Sequence, residues 1–146
     1  QTLVSPVAAL VHAASVLPDS LIHVIDAIHA ESNVSLAAIL APEHGFRGVE
    51  QAEHGDPDEH IDVATNITVY SVYRRNASSI VTILEETAVK TILVDLVDAG
   101  TRLYTFLWTL YDLMAAAATM SAPPTFVVTD RPNPLGGKQV EGPVLN

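Results

Sequence analysis

The chain contains no cysteine, and this absence excludes several kinds of chemistry at once. Without thiols there is no disulfide bond, no thiolate metal site and no cysteine nucleophile. Disulfides are not needed for stability, because a chain of 146 residues that is 49% hydrophobic can bury a sizeable core. Composition therefore predicts one domain, spanning residues 1–146, that is stabilised by packing.

Positive charge is also scarce, with 7 Lys and Arg residues against 17 Asp and Glu residues and a formal net charge of −10. Nucleic acids and anionic membranes both require a basic surface, so neither is predicted as a partner. No apolar run reaches the ~20 residues that a membrane-spanning helix needs.

The N-terminus and the glycosylation sequons indicate where in or outside the cell the protein is found. The chain starts with Gln1, without the basic and apolar regions of a signal peptide, as a mature secreted chain would. Asn33, Asn66 and Asn76 each stand in an N-x-S/T sequon. We therefore expect a secreted, eukaryotic protein glycosylated at these three asparagines.

Short apolar runs alternate with amphipathic stretches along the chain, which is typical of βαβ units. This pattern predicts an α/β fold with a mostly parallel sheet of about 4–5 strands and helices on both faces. The expected strands are residues 34–40, 67–72, 91–94 and 125–128, with a short strand remnant at residues 2–4.

Three helices are expected between these strands. The first is capped by Asp19 or Ser20, and the second by Ser78 or Ser79. The third lies within residues 101–120, where apolar side chains occupy two helical faces and predict a mostly buried helix.

Three long segments without periodicity each begin where a predicted strand ends, at residues 41–62, 95–101 and 130–146. Ligands of open α/β sheets bind at this edge, so these loops are the expected site. In the first loop, Pro42 and two glycines present Glu43 and His44 at the edge. Glu43 there is either a general acid or a carboxylate that only bonds neighbouring amides.

The second and third loops add further polar side chains. Asp98 or Thr101 is expected to cap the following helix, which leaves Asp95 for a substrate hydroxyl or for orienting Arg102. In the third loop, two prolines fix the backbone around Asn133. Tyr104 or Trp108 is either core packing or a stacking wall for a ring-shaped ligand.

The cations concentrate in these loops, although the protein is acidic. Arg47, Arg102, Arg131 and Lys138 lie in or beside them. Such a cluster favours an anionic ligand, because guanidinium groups bind carboxylates and phosphates in bidentate fashion. The alternative, that each Arg pairs with a nearby Asp or Glu, is equally open at this point.

A metal site is not expected. A histidine directly follows a glutamate at His44, which follows Glu43, and in the pairs Glu53-His54 and Glu59-His60. Their spacings match no standard ligand pattern, and adjacent residues rarely bind one ion together. We therefore predict a solvated acidic loop, with no metal and no cofactor.

Three motifs resemble the exo-β-N-acetylmuramidase (NamZ-like) family of glycoside hydrolases. They are P-E-H-G-F-R-G at residues 42–48, D-x-x-D-x-G-x-R-x-Y-T at 95–105 and D-R-P-N-P-L-G-G…V-E-G-P at 130–143. The resemblance implies a Rossmann-like, doubly wound N-terminal domain of a longer two-domain protein. It also implies removal of terminal N-acetylmuramic acid from peptidoglycan fragments, with Glu43 as catalytic acid/base.

The resemblance also implies roles for the remaining candidate site residues. Asp95, Asp98 or Asp130 would supply the second carboxylate of a glycosidase. Arg47, Arg102 or Arg131 would hold the lactyl carboxylate of muramic acid, with His44, Tyr104 and Asn133 lining the substrate.

The chain departs from the family pattern in its length and at two positions. It is much shorter than family members, Ser5 stands where the family usually has Asn, and Val97 replaces a usual Gln. Two functions are therefore expected. One is a secreted hydrolase, and the other is a non-catalytic secreted glycoprotein that binds sugar or self-assembles. Without a second domain, exposed apolar surface would favour a homo-oligomer.

Overall fold

A computed structural model describes residues 3–31, 33–51 and 58–144. Six strands and three helices follow one another in the order β1 (Val7–Val11), α1 (Val24–Ala30), β2 (Leu36–Ala41), β3 (Glu59–Ile61), β4 (Thr68–Ser71), α2 (Ala77–Glu86), β5 (Thr91–Asp95), α3 (Thr105–Ala117) and β6 (Thr125–Val128). The predicted α/β class with helices on both faces is confirmed.

All six strands form one sheet in the order β3-β4-β2-β1-β5-β6. Every neighbouring pair is parallel except β3 and β4. The chain builds outward from β1 through β2 to β4, and then returns to place β5 on the other side of β1. The crevice beyond the carboxyl ends of β1 and β5 is therefore the topological switch point of this doubly wound sheet.

The central strands are buried on both faces, as their continuous apolar runs require. All five residues of β1 and all five of β5 are buried. On one face, α2 and α3 cover a core that includes Leu10, Leu40, Ile92 and Leu113. On the opposite face, α1 covers a second core.

One strand lies elsewhere than predicted and another was not predicted, so the sheet has six strands where about 4–5 were expected. β1 lies at residues 7–11 instead of 2–4, because V-A-A-L-V fits a helix and a strand equally well by pattern. β3 is a three-residue edge strand inside the segment expected to be a loop, and it exists only through its antiparallel pairing with β4.

The helix starts also differ from prediction. α1 begins after His23, whose Nδ1 accepts the Ile25 N–H at 3.2 Å, and not after Asp19 or Ser20. Asn76, and not Ser78 or Ser79, caps α2, where its side chain accepts the Ser79 N–H at 2.8 Å.

α3 begins after Tyr104, so neither Asp98 nor Thr101 caps it. The expectation that α3 is mostly buried is also wrong. One face packs on the sheet, but the other exposes Leu107, Trp108, Tyr111 and Met114. With the exposed Leu103 just before the helix, these side chains make up the apolar patch of α3.

Candidate functional site

The carboxyl ends of the parallel strands bring the three predicted loops to one edge, together with the loop that follows β1. Val11 at the end of β1 pairs with Asp95 at the end of β5. The loop after β6 joins this edge because Thr129 N–H donates to the Val94 carbonyl at 2.9 Å. Residues far apart in the chain therefore meet at the switch point.

Glu43 follows β2 and is half-buried. Its Oε2 accepts a hydrogen bond from the Thr105 hydroxyl, the first residue of α3, at 2.7 Å. Tyr73, in the turn after β4, is also close. Burial and then the negative charge of Glu43 raise the pKa of the Tyr73 hydroxyl. The hydrogen bond that the structure gives the Glu43 side chain is thus to a side chain of the second motif.

Asp98 and Asp130, the predicted partner carboxylates, line a cavity of about 160 Å³ between α3 and the ends of β5 and β6. Asp98 is exposed, and its Oδ1 accepts the Gly100 N–H at 2.8 Å. Burial and then the charge of Asp98 raise the pKa of the Tyr104 hydroxyl. Asp130 is exposed as well. Both carboxylates are therefore accessible from this cavity.

Asp95 and Arg131 form a buried ion pair in the switch-point crevice. Arg131 donates from Nε to Oδ1 at 2.5 Å and from Nη2 to Oδ2 at 2.6 Å. The same Nη2 also donates to the Val16 carbonyl at 2.9 Å. Asp95 is only 1% exposed, and its carboxylate raises the pKa of Arg131. This pair locks three loops together.

Arg47 is held by two carboxylates on the α1 face of the sheet. It makes bidentate contacts with Asp26, at 2.8 and 3.2 Å, and with Asp62, at 2.9 and 3.0 Å. These hydrogen bonds raise the pKa of Arg47 and lower the pKa of both carboxyl groups. Its guanidinium also lies 4.7 Å from the ring centroid of Phe46. Arg47 thus joins α1 to the segment between β2 and β4.

Arg102 differs from the other two arginines. It is exposed, and Nη2 reaches the Pro143 carbonyl at a long 3.4 Å. Within the part of the chain that the structure describes, the ion pairs involve Arg47 and Arg131 and none involves Arg102. It lines an open cavity of about 500 Å³ with Gln139 and Glu141. Among the three arginines, ion pairing with aspartate therefore holds for Arg47 and Arg131, and Arg102 has no ion pair among the described residues.

The other predicted ligand residues are divided between the loops. His44 is exposed in a left-handed turn (φ 73°), with Nδ1 3.3 Å from the carbonyl of Glu50. The Tyr104 ring packs on Phe106 with centroids 4.6 Å apart. The Asn133 side chain lies so close to Gly100 that an added Cβ would be 2.9 Å away, and Gly100 has φ +70°. Asn133 thus joins the second loop to the third.

Sequence reasoning missed a group of polar residues that follow β1. His12, Ser15 and His23 bond to one another and to the loop after β5. Thr105 was missed as well. The available signal was the apolar run of β1, because recognising that strand would have placed His12 at its carboxyl end.

The histidine and glutamate pairs do not form a metal site among the residues described. No three His, Asp or Glu side chains within residues 3–31, 33–51 and 58–144 are arranged to hold an ion. Glu53 and His54 lie outside the described residues.

The surface carries the three sequon asparagines. Asn33, Asn66 and Asn76 are all exposed, and Asn66 adopts a left-handed conformation (φ 57°). Among the described helices, none has the length and apolar character to cross a membrane.

Comparison with known proteins matches the chain to one family. The family model "Exo-beta-N-acetylmuramidase NamZ, N-terminal" matches residues 7–146. The peptidoglycan beta-N-acetylmuramidase NamZ of Bacillus subtilis is 39% identical over 122 residues, which are 83% of this chain and 28% of that protein.

A solved structure agrees with the sequence matches. The crystal structure of a DUF1343 family protein from Bacteroides fragilis superposes with a TM-score of 0.76 at 34% identity, over 96% of this chain and 33% of the other. The chain thus spans about a third of the length of these two relatives. It belongs to the family of the NamZ exo-β-N-acetylmuramidase N-terminal domain.

Proposed function

We propose that this chain carries the catalytic acid/base of an exo-β-N-acetylmuramidase acting on peptidoglycan fragments, and that Glu43 is that group. The contact between Glu43 and Thr105 carries the proposal, because it places a half-buried carboxylate at the ligand-binding edge of the sheet. A positioned carboxyl group of this kind can transfer a proton to the leaving oxygen of a glycoside. The relative from Bacillus subtilis, named for this activity, supports the assignment.

The proposed mechanism uses two carboxyl groups. Glu43 protonates the glycosidic oxygen, while Asp98 or Asp130 acts from the other side of the sugar as nucleophile or as base for a water molecule. Both aspartates line the same cavity.

Replacing Glu43 tests the catalytic role. Glu43→Gln keeps the shape and an acceptor for the Thr105 hydroxyl but removes the acid, so release of N-acetylmuramic acid from a chromogenic muramide should fall by roughly 10²–10⁴-fold. Glu85→Gln, on the exposed side of α2, is the matched control and should leave the rate unchanged. Equal rates for Glu43→Gln and wild type would refute the assignment.

The lactyl carboxylate of the substrate is assigned to Arg102, since Arg47 and Arg131 already bind aspartates. Arg102→Ala should raise KM for the muramide by about tenfold or more, as expected for the loss of a charge-assisted hydrogen bond. The corresponding N-acetylglucosaminide, which lacks the lactyl group, is the control ligand. Undiminished discrimination between the two sugars would exclude Arg102.

A second candidate function is a non-catalytic module that binds the sugar or self-assembles. The exposed apolar patch of α3 favours it, because patches of this kind commonly mark protein interfaces. Sugar binding by calorimetry without any muramide hydrolysis would establish the module. Sedimentation of wild type and Trp108→Ser then reports whether the patch joins copies of the chain.

The proposal places the protein outside the cell, with glycans at Asn33, Asn66 and Asn76. Exposure of all three sequons supports glycosylation. Intact mass of the natural protein before and after glycosidase treatment tests both features, and an unchanged mass equal to that of the polypeptide would refute the glycans.

A further inference from the structure

His12 stands at the switch point of the sheet without a role in any motif. It directly follows β1 and is 7% exposed. Its Nε2 accepts the Val97 N–H at 3.2 Å, so the neutral ring carries its proton on Nδ1. A charged ring would have a proton on Nε2 and could not accept this hydrogen bond.

The backbone of His12 is fixed by two further residues. Its N–H donates to the Ser15 hydroxyl at 3.0 Å, and Ser15 in turn donates to the Asp95 carbonyl. Its carbonyl accepts from Nε2 of His23 at 3.0 Å. The position of the ring is therefore set by the loop after β1, the start of α1 and the end of β5.

The ring of His12 also supports the start of α3. It packs edge to face on Phe106, with centroids 4.9 Å apart. Phe106 is buried and directly follows Thr105, which donates to Glu43. One side chain thus contacts both ends of the loop that connects β5 to α3.

We propose that His12 is a positioning residue, whose neutral imidazole holds the loop between β5 and α3 so that Thr105 meets Glu43. The catalytic consequence rests on the proposed role of Glu43. His12 does not touch the substrate, and it acts through Val97 and Phe106.

The charged groups around His12 act in opposite directions. Burial lowers its pKa below 6.5. Asp95 at the end of β5 favours the charged ring, whereas Arg131 after β6 and His23 at the start of α1 oppose it. The neutral form therefore persists at neutral pH, and acidification through this lowered pKa should release the Val97 N–H.

Two variants of the full chain separate the contacts of His12. His12→Phe keeps a ring against Phe106 but removes the acceptor, and His12→Gln keeps an acceptor near the position of Nε2. The amide protection factor of Val97 should fall about tenfold in His12→Phe and recover in His12→Gln, while that of Leu93 in β5 stays constant. Equal Val97 protection in wild type and His12→Phe would overturn the proposal.

Nitrogen NMR of the wild-type ring decides the case even if a variant does not fold. The Nδ1–H tautomer at pH 7.5 is the expected result, and a predominant Nε2–H tautomer overturns the proposal. In muramide hydrolysis, kcat of His12→Phe should fall about tenfold with KM changed less than twofold. If wild type itself hydrolyses no muramide, the proposed activity fails, and the NMR and exchange results still decide the positioning role.

Discussion

Removal of Arg131 should destabilise the protein strongly, because its partner Asp95 is 1% exposed. Among the residues described, Arg131 supplies both donors to the Asp95 carboxylate, at 2.5 and 2.6 Å. Arg131→Ala leaves this charge buried and also removes the donor to the Val16 carbonyl.

The cost can be estimated from the burial of the two partners. Breaking a buried ion pair by removing one partner costs about 3–5 kcal/mol. The Arg131 side chain is 25% exposed, so water can enter the space it leaves, and we expect a cost near 3 kcal/mol. For a chain of this size that loss lowers Tm by about 6–12 °C.

Urea unfolding of a double-mutant cycle measures the interaction directly. Asp95→Asn removes the charge that Arg131→Ala leaves unpaired, so the double variant should be more stable than the sum of the single effects predicts, by about 1–3 kcal/mol. A cost of Arg131→Ala below about 1 kcal/mol, or additive single effects, would refute the structural role of the pair. Arg131 would then be available to a ligand, as the sequence alone allowed.

Three further predictions concern the framework around the site. Arg47→Ala should lower the free energy of unfolding by about 2 kcal/mol at pH 7, as measured by urea unfolding. The loss is smaller than that expected for a buried charge without any partner, because Asp62 keeps its hydrogen bonds from Thr65. Arg47 lowers the pKa of Asp62, so this cost should be complete above about pH 4 and disappear as the pH falls through the lowered value. Gly48→Ala should lower the free energy of unfolding by about 2–3 kcal/mol, because φ is +70° and the added Cβ would lie 2.7 Å from another side chain. The control Gly136→Ala, where φ is +78° and the space is open, should lower it by about 1 kcal/mol. Equal losses would contradict the packing argument. Asn76→Ala should lower the free energy of unfolding by about 1 kcal/mol, because it removes the cap of α2. Asn76→Asp also removes the sequon but should keep the cap and the stability. Tm therefore reports capping, and mass reports glycosylation.

The sheet was largely predictable because its central strands are buried on both faces. The run at residues 91–94 is continuous and apolar, and it coincides with β5 to within one residue. The run at residues 125–128 coincides with β6, but this strand lies at the edge of the sheet and is partly exposed, so the expectation that it is buried was wrong. β1 has the same environment, but two alanines in five residues remove the preference for a strand. β3 depends on pairing with β4, which no local pattern encodes.

Helix starts were less predictable because tertiary contacts override the preference of capping residues. Asp19 and Ser20 are good cap types, yet the chain there forms a small loop closed by the Leu17 N–H and the Ile22 carbonyl at 2.9 Å. α1 therefore starts only at Val24.

The candidate site was predictable in place and in residue type, but not in pairing. Burial of Asp95 commits Arg131 to an ion pair, and exposure leaves Arg102 without one among the described residues. The deep burial of Asp95 follows from the order of strands in the sheet. This order cannot be deduced from the spacing of the motifs.

The long-range hydrogen bonds of Arg131 and His12 also affect the order in which the molecule can assemble. The bond from Arg131 to the Val16 carbonyl spans 115 residues of sequence, and the bond from Val97 to His12 spans 85. At about 5–20 residues synthesised per second, Val16 waits roughly 6–23 s for its partner. Contacts of such long range also slow refolding, because loop closure must precede them. We therefore expect the contact between Arg131 and Val16 to be among the last in the domain to form, during synthesis and after denaturation alike.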